Sequence, residues 1–480
     1  MELHFGLVGN LPDEEQRKLN NLEWIWRWHR SANRQKRRYY EGKITVGEVN
    51  LGIALPHSIS RLEISCPWGA KTVDVLAARS MFDGFVNGSG NDSEQMREIS
   101  KRNHLITQYD KACVDELEYG CAFAAISGTE GNARVKFYSP MCAAASWDDM
   151  NGRIDCGFAF EDLRNDESDI NWSPAHVVFY TSTDSWELIR TGGSWKAERY
   201  PHHFGKPLLI PMIWNPTSAK PFGQSRLKEP ERRIIQGYVR TLANASIALE
   251  FSTAPQKYML GVSDEGYDAI MSDKFKQYVG SIIAATSNPE TGQNPTVGQF
   301  QQGNIEPHIQ MLRALATQFA AATGLSVVDV GVINDANPSS SDAILAQSQT
   351  LVGLAEKMNT GNGDALYDIA TMLLAVENGT TPDLLDSEDL DVMAHFKNPA
   401  MPNVSATADA AIKIASARQD FSSTDTFLEM IGFSQADVRR IKAQEQRARG
   451  QRLLEDEFAN AEGGTEKVPG QDGTNQSEGG

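Results

Sequence analysis

Two groups of carboxylates have the side chains and spacing closest to those of a catalytic site. The first group is Asp383, Asp386, Glu388, Asp389 and Asp391, and the second is Asp148-Asp149 beside Trp147. Such groups could bind a divalent cation and support metal-dependent cleavage of DNA. The first group lacks the glycine and the spacing of an EF-hand loop, which favours a solvated helix start. The second is typical of a hairpin turn, and a metal-dependent nuclease stays open as an alternative.

Motifs of other enzyme classes are missing from the sequence. It contains no G-x-x-x-x-G-K-[ST] phosphate loop, no H-E-x-x-H zinc motif and no G-x-S-x-G nucleophile elbow. Among nine histidines only His202 and His203 are adjacent. Neighbouring residues on a strand point to opposite faces, so these two are not expected to share a metal. The sequence therefore predicts a protein that is not an enzyme and binds no cofactor or metal.

Basic side chains form a further kind of candidate site, because Lys and Arg contact the phosphates of nucleic acids. One cluster consists of Arg226, Lys228, Arg232 and Arg233, at the start of a predicted long helix. The ranges 27–38 and 439–452 are also rich in basic residues. The helix dipole favours acidic residues at a helix start, so the cluster at 226–233 requires tertiary or intermolecular partners. For the basic range 27–38, an exposed charged face is the alternative to an interface.

The overall composition is that of a globular protein with an acidic surface. The chain has 480 residues, 40% of them hydrophobic and 22% charged, and a formal net charge of −18. This length predicts two to four structural units, and the charge argues against a surface that grips nucleic acid throughout. The apolar runs are too short for a membrane span, and no secretory leader is evident. Five scattered cysteines without a C-x-x-C pair favour a reduced intracellular compartment.

The first half of the chain is predicted to change from helical to β-rich. Apolar spacing predicts helices over 12–41, near 73–79 and over 93–118, the last with a break at Arg102-Asn103. Short β-branched and aromatic runs between turn residues predict a block of hairpins over 121–215.

The second half is predicted to be mainly helical. Helices are expected at 226–251, 307–323 and 342–377, with a bend in the last at Gly361-Asn362-Gly363. Residues 388–462 are predicted to be helical with breaks at Pro399, Pro402 and Gly432. The range 254–304 is rich in Gly, Pro and Asn, and 463–480 is predicted to be disordered.

Seven short segments have an order and spacing that resemble a known family. They are Tyr39-Tyr40-Glu41-Gly42, Trp68–Arg79 with Phe82-Asp83-Gly84-Phe85, Glu118-Tyr119-Gly120, Pro221–Arg226, Ala254–Gly261, Val297–Phe300 and Asn337–Ile344. Together they resemble the portal proteins of tailed bacteriophages, of the type found in long-tailed siphophages. The resemblance covers about residues 35–375 and does not extend to the last hundred residues. Ser341-Asp342 departs from the small residues common in the family by placing a charge at a helix start.

The resemblance implies a mixed α+β subunit of a portal ring, with a β-rich wing, long stem and channel helices, a small α/β clip and a helical crown. The implied domains are an N-terminal helical segment at 1–57, a wing at 58–225, stem helices at 226–253 and 305–323, a clip at 254–304, a tunnel loop at 324–341, a kinked channel and wing helix at 342–378, a crown at 379–462 and a disordered tail at 463–480.

The resemblance also implies a function. Portal proteins form rings, usually of twelve subunits, at one vertex of the capsid, and double-stranded DNA is packaged and ejected through them. The implied partners are other copies of the chain, the terminase large subunit, head-completion or adaptor proteins, the major capsid and scaffolding proteins, and DNA, with no membrane. The implied location is the virion, and the host cytoplasm during assembly.

Three sets of candidate site residues follow from the resemblance. Residues of the tunnel loop that would face DNA are Asn334, Asp335 and Asn337. Residues of the stem that would make weak phosphate contacts or ion pairs between subunits are Arg226, Lys228, Arg232 and Arg233. Residues of the clip that would bind partner proteins are Lys257, Tyr258, Lys274 and Lys276.

Two further alternatives remain at this point. A head–tail adaptor or minor capsid protein would be shorter and would lack two long helices flanking a glycine-rich segment. A monomeric or dimeric cytosolic scaffold is the other alternative, because an intramolecular helical bundle would bury the same apolar stripes.

Overall fold

The computed structural model describes residues 3–46, 63–87, 94–162, 174–253, 257–260, 292, 294, 296–299, 304–331, 341–400, 404–433 and 435–462. The described chain contains both helices and β-sheets, with eight strands in succession between two helical regions, so the predicted mixed α+β class is confirmed. The chain divides into two compact units, Met1–Ala400 and Met401–Gly480.

The α-helices of the first unit include the two long helices predicted at 226–251 and 342–377. They are α1 (Asp13–Tyr40), α2 (Trp68–Ala77), α3 (Glu94–Arg102), α4 (Leu105–Tyr119), α5 (Glu229–Thr253), α6 (Glu306–Thr323), α7 (Ser341–Glu377) and α8 (Ser387–Leu390). Those of the second unit are α9 (Val404–Ala417), α10 (Asp425–Ile431) and α11 (Gln435–Glu462). Short 3₁₀ turns lie at Pro382–Leu384 and Gln419–Ser423.

All strands of the described ranges lie in the first unit. They are β1 (Val8–Gly9), β2 (Lys43–Thr45), β3 (Glu63–Ser65), β4 (Phe82–Val86), β5 (Cys121–Thr129), β6 (Asn132–Tyr138), β7 (Ala143–Asp148), β8 (Arg153–Phe160), β9 (His176–Tyr180), β10 (Asp184–Thr191), β11 (Ser194–Pro201), β12 (Leu209–Ile213), β13 (Lys257–Leu260), β14 (Thr296–Gln299) and β15 (Met393–Phe396).

The larger sheet has six strands in the order β1-β11-β10-β9-β8-β7. Consecutive strands from β7 to β11 pair antiparallel, whereas β1 pairs parallel with β11. Helix α1 covers this sheet with Leu19, Leu22 and Trp26, which share a core with Phe158 and Phe160. The described N-terminal residues therefore belong to the core of the first unit.

The smaller sheet, β12-β5-β6, lies in the centre of the main core. Residues 121–126 of β5 are all buried, which requires cover on both faces of the strand. Helices α4 and α7 both contact β5. The run of small and apolar residues at 121–126 suits such a fully buried strand.

Several predicted elements are confirmed, and the structure explains the predicted break between two of the helices. Helix α1 occupies 13–40 against a predicted 12–41. The predicted break at Arg102-Asn103 separates α3 from α4, where His104 has a positive φ of 50°. The Asn103 side chain accepts from the Val135 N–H and donates to the Ala133 carbonyl, so it ties the break to β6.

Other predictions need correction. Residues 388–396 were predicted to be helical, but Met393–Phe396 form β15, which pairs antiparallel with β4 inside the first unit. The predicted crown range of 379–462 therefore contains a segment of the first unit. Helix α5 begins at Glu229 instead of Arg226, with Pro230 in its first turn as predicted. Helix α7 is continuous through Gly361-Asn362-Gly363, and the bend predicted there stays a prediction.

Three predictions concern residues outside the described ranges: the disordered tail at 463–480, most of the clip at 254–304 and residues 332–340 of the tunnel loop. Within the described ranges, no helix is both long and apolar enough to cross a lipid bilayer.

Candidate functional site

The long helices α5 and α6 pack side by side, and an aromatic stack holds their base against α2. The ring centroid of Trp68 lies 4.2 Å from that of Tyr238 on α5 and 5.0 Å from that of Phe319 on α6. Trp68 and Phe319 are buried. Aromatic contacts of this kind add about 0.5–1.5 kcal/mol to the free energy of burial. We call these three side chains, together with Tyr39 and Arg226, the stem base.

Tyr39, at the end of α1, joins the stem base from the other side. Its hydroxyl accepts a hydrogen bond from Gln236 Nε2 on α5, and the guanidinium carbon of Arg232 lies 5.8 Å from its ring centroid. Its backbone also contacts Gly69, where an added Cβ would lie only 2.0 Å from the Tyr39 carbonyl oxygen. Only glycine at position 69 permits this approach of α2 to α1.

Arg226 is a buried connector between three segments. Its Nε donates to the Thr72 carbonyl of α2 at 2.9 Å, and its Nη2 donates to the Thr323 carbonyl of α6 at 2.6 Å. Its backbone N–H donates to the Leu117 carbonyl of α4. Burial lowers the pKa of Arg226 to about 10, so the side chain stays charged at neutral pH. Arg226 is therefore a structural residue of the stem base and not one of the exposed basic residues of the stem.

Replacing Arg226 tests this role. Arg226→Ala removes one donor from each of two buried carbonyls, so we expect the free energy of unfolding to fall by about 2–4 kcal/mol. The matched control is Arg233→Ala, because Arg233 is exposed and pairs only with Glu229 on its own helix. That variant is expected to stay within about 0.5 kcal/mol of the wild type. Urea denaturation followed by tryptophan fluorescence measures both, and equal effects would contradict the assignment.

Two glycines allow the segment before α5 to cross the start of β5. Gly120 and Gly223 have positive φ values of 113° and 71°. A Cβ on Gly223 would lie 2.7 Å from the Gly120 carbonyl oxygen, and one on Gly120 would lie 3.2 Å from the Gln224 backbone. Ser225 Oγ donates to the Glu118 carbonyl across the same crossing. The predicted motif segments at 118–120 and 221–226 therefore form one junction.

A buried acid and its basic neighbours attach α1 to this junction. Arg37 Nη1 donates to Glu118 Oε2 at 3.3 Å, and the Glu118 side chain is fully buried. Lys36 Nζ donates to the Tyr119 carbonyl at 2.8 Å. Burial raises the pKa of Glu118 and lowers that of Lys36 to about 8. Two members of the basic range 27–38 are thus used inside the subunit.

A polar network inside the main core explains why an asparagine, Asn362, stands in the middle of α7. Asn362 Nδ2 donates to the Tyr109 hydroxyl at 3.0 Å and to Glu116 Oε2 at 2.9 Å. The Tyr109 hydroxyl also bonds Ser80 Oγ, which donates to Asn359 Oδ1. Sequence reasoning missed this network because Asn362 lies 253 residues from Tyr109 and 246 from Glu116 along the chain.

The remaining basic candidates of the stem are not gathered into one site. Lys228 is exposed beyond the start of α5. Arg232 lies over the Tyr39 ring, and Arg233 Nη2 is 3.0 Å from Glu229 Oε1. The ion pair with Glu229 at the helix start supplies the acidic partner that the helix dipole demands. The structure thus separates Arg226, which is buried, from three basic residues near the surface of α5.

Little of the other two candidate sets lies within the described residues. Lys257 and Tyr258 belong to β13, which pairs antiparallel with β14. Lys274, Lys276, Asn334, Asp335 and Asn337 lie outside the described ranges. The described start of the predicted tunnel loop is a turn, in which Ser326 Oγ donates to Asp329 Oδ2 at 2.7 Å. Gly324 ends α6 with a positive φ of 72°.

Within the part of the chain that the structure describes, the carboxylates considered for a nuclease are not gathered into a metal site. Asp148 closes the β7–β8 turn, where its side chain accepts from the Met150 and Asn151 backbone N–H groups. A hydrogen bond from the Asn151 side chain, helped by these two backbone bonds, holds the pKa of Asp148 below its ordinary value. Among the described residues, no three His, Cys, Asp or Glu side chains are grouped to hold a metal ion.

Comparison with known proteins decides the family. The model of the family described as "Phage portal protein, SPP1 Gp6-like" matches residues 26–451. The chain belongs to this phage portal family. The resemblance seen in its short motifs is therefore confirmed, and it is a portal protein. No curated protein sequence matches the chain significantly.

Solved structures with a similar fold come from gene transfer agent particles. One is the "Neck of native GTA particle computed with C12 symmetry", with 13% identity, a TM-score of 0.45 and coverage of 76% of this chain and 90% of the other. A second is the "Virion of native gene transfer agent (GTA) particle", with 13% identity, a TM-score of 0.44 and the same coverages. A third is the "Neck of empty GTA particle computed with C6 symmetry", with 13% identity, a TM-score of 0.44 and coverages of 78% and 89%.

In this portal subunit, four of the seven motif segments meet around the stem base. The segments at 39–42, 68–79, 118–120 and 221–226 supply Tyr39, Trp68, the junction glycines and Arg226. Gly42 also has a positive φ, and a Cβ there would lie 2.8 Å from the Cys66 carbonyl oxygen. These four segments therefore attach helices α5 and α6 to the rest of the first unit.

Proposed function

We propose that this portal protein forms a ring, usually of twelve subunits, around a channel through which double-stranded DNA is packaged and ejected. The observation that carries the proposal is the exposure of the distal half of the helix pair. Ile309 and Met311 on α6 are 39% and 46% exposed, whereas Leu315 and Phe319, nearer the stem base, are buried. Apolar side chains that protrude in this way gain free energy when neighbouring copies bury them. In a ring, every subunit can bury these side chains in the same way, because one of its faces contacts one neighbour and the opposite face contacts the other.

The net negative charge of the chain is compatible with a channel through which DNA must move. Duplex DNA carries one negative charge per about 1.7 Å of its axis, and tight neutralisation of that charge would oppose movement. Each subunit has a formal net charge of −18, so a ring of acidic subunits favours sliding over gripping. Lys228 and Arg233, which are exposed near the start of α5, remain candidates for weak phosphate contacts or for ion pairs between subunits. Asn334, Asp335 and Asn337 remain candidates for facing the DNA.

The partners follow from the same role. The clip, with Lys257, Tyr258, Lys274 and Lys276, is our candidate for binding the terminase large subunit during packaging and head-completion or adaptor proteins afterwards. The major capsid and scaffolding proteins would contact the ring when the capsid assembles. The protein would reside in the host cytoplasm during assembly and at the portal vertex of the virion thereafter. We further propose that it is not an enzyme, in keeping with the structural role of its family.

Electron microscopy of the purified protein tests the ring. We expect negatively stained particles with rotational symmetry and a central hole of roughly duplex width. Met311→Asp places a charge on the distal stem, so we expect it to shift the protein towards single subunits in analytical ultracentrifugation. Met150→Asp is the matched control, because Met150 is 96% exposed in the β7–β8 turn, away from the stem. A wild-type protein that sediments as a single chain even when concentrated would overturn the proposal.

A further inference from the structure

An aromatic and basic stripe runs along the solvent face of α1. Trp24 and Trp28 are 59% and 68% exposed, and their rings stack with centroids 5.5 Å apart. Arg27 and Arg34 are exposed within the same 120° of the helix circumference. We call Trp24, Arg27, Trp28 and Arg34 the α1 stripe. Exposed tryptophans beside arginines have the composition of binding hot spots in protein interfaces.

A cleft beside the α1 stripe offers room for an inserted side chain. It encloses about 650 Å³ and is lined by Trp24 and Trp28 together with Leu7 and His4. Leu7 is 89% exposed, so both walls present apolar surface to solvent. The lining also includes Glu23, which pairs with Arg27 at 3.2 Å. The helix beyond Glu23 is basic, because residues 24–40 contain six Lys or Arg residues and no acidic residue. An occupant should therefore combine an apolar side chain with negative charge.

The same chain carries such a segment at 382–391. It contains five acidic residues and no basic one. Its Leu384 side chain is 74% exposed, and Leu390 is 38% exposed. Asp383 and Asp386, on either side of Leu384, are also exposed. We call residues 382–391 the acidic loop, and its leucines and carboxylates complement the tryptophans and arginines of the α1 stripe.

The two surfaces lie at opposite ends of strand β6. At one end, Trp26 Nε1 of α1 donates to the Met141 carbonyl, just after the strand. At the other end, the Gly131 N–H donates to the Glu377 carbonyl, where α7 leads into the acidic loop. The seven residues of β6 span roughly 23 Å, so one subunit cannot bring its own two surfaces together. Contact between different surfaces of successive copies is the kind that closes rings.

We propose that the acidic loop of one subunit docks on the α1 stripe of its neighbour, with Leu384 entering the cleft beside Trp28. This inference rests on the proposed ring and identifies one of its subunit contacts. The carboxylates of Asp383 and Asp386 lie against Arg27 and Arg34 in the docked state. Opposite charges in such a contact select the correct neighbour and orientation more than they add affinity.

Disulfide trapping tests the contact directly in the full chain. The variant Trp28→Cys/Leu384→Cys is expected to form a ladder of covalent oligomers under mild oxidation, because each subunit would link to the next. The native cysteines are buried or half-buried within the described fold and leave a low background. The matched control is Met150→Cys/Leu384→Cys, which exposes two thiols without pairing the two surfaces. It is expected to remain mostly monomeric in denaturing gels.

Charge reversal supplies a second readout. Arg34→Glu and Asp386→Lys should each lower the fraction of protein in rings, and the double variant should restore it. Rings without a disulfide ladder and without any effect of charge reversal would overturn the docking while leaving the proposed function intact. If Trp24→Ala/Trp28→Ala leaves rings unchanged but blocks their incorporation into capsids, the stripe binds another virion protein and the docking is likewise refuted. Failure of the wild type to form rings would refute both proposals together.

Discussion

Gly69→Ala is expected to lower the free energy of unfolding of the portal subunit by about 3 kcal/mol, the cost of severe overpacking. The new Cβ would lie 2.0 Å from the Tyr39 carbonyl oxygen, a distance that no relaxation of the alanine itself can relieve. Helix α2 must therefore move away from α1. Trp68, the preceding residue, would then lose its stacking distance to Tyr238 and Phe319.

The experiment compares this variant with a glycine substitution that meets no obstacle. Gly353→Ala lies within α7, and a Cβ there has no neighbouring atom within 4 Å. Alanine has the higher helix propensity, so this control should gain about 0.5–1 kcal/mol. Thermal and urea denaturation measure both variants. Equal stability of Gly69→Ala and the wild type would show that the contact between α1 and α2 does not constrain the stem base.

The stability of the wild-type subunit is expected to fall as the pH rises from about 4.5 to about 8, in large part through Glu116. Complete burial raises the pKa of Glu116 to about 8, although a hydrogen bond from Asn362 opposes the shift. Between the unfolded and folded pKa values the native state holds a proton that the unfolded chain has released. Raising the pH through this interval therefore lowers the free energy of unfolding by up to about 1.4 kcal/mol per pH unit. The decrease ends once the pH exceeds the pKa of Glu116 in the folded state.

Glu116→Gln should remove most of this dependence. Glutamine cannot ionise, and its amide nitrogen can take the place of Glu116 Oε1, a buried oxygen without a partner among the described residues, while its oxygen still accepts from Asn362. We expect the variant to match the wild type near pH 5 and to exceed it at pH 8 and above. Unfolding free energies measured in urea at several pH values provide the comparison.

Asp115 provides the control for this experiment. Burial and the neighbouring Glu118 raise its pKa to about 7, so it contributes a slope of the same sign at lower pH. Asp115→Asn should remove the slope mainly below about pH 7 and leave that of Glu116. A wild-type stability that is flat between pH 5 and pH 8 would contradict the assignment of a protonated Glu116.

The polar network around Asn362 also bears on how the long helix is held. Asparagine is a poor residue for a helix interior, and two flanking glycines weaken the helix further. Asn362 contributes instead through tertiary bonds to α4, to the Tyr109 hydroxyl and Glu116. Buried networks of this kind are costly when incomplete and specify a unique packing when satisfied. Helix α7 is therefore held in register along α4 by polar contacts as well as by its apolar stripe.

The sequence alone determined the local elements of this portal protein, because they depend on short-range patterns. Apolar spacing located α1, α5, α6 and α7 within a few residues, and short β-branched and aromatic runs located the hairpins of β5 to β12. The order of short motifs also identified the family. Each of these signals lies within a window of tens of residues, where helix and strand periodicities act directly.

Only the tertiary structure decided what the individual residues do. Arg226 and Arg233 are similar on a sequence basis, yet one is buried against two carbonyls and the other is exposed. Residues 393–396 form a strand because they pair antiparallel with β4, some 300 residues earlier in the chain. Burial, pairing and pKa depend on neighbours that are distant along the chain, and no local pattern encodes which neighbours those are.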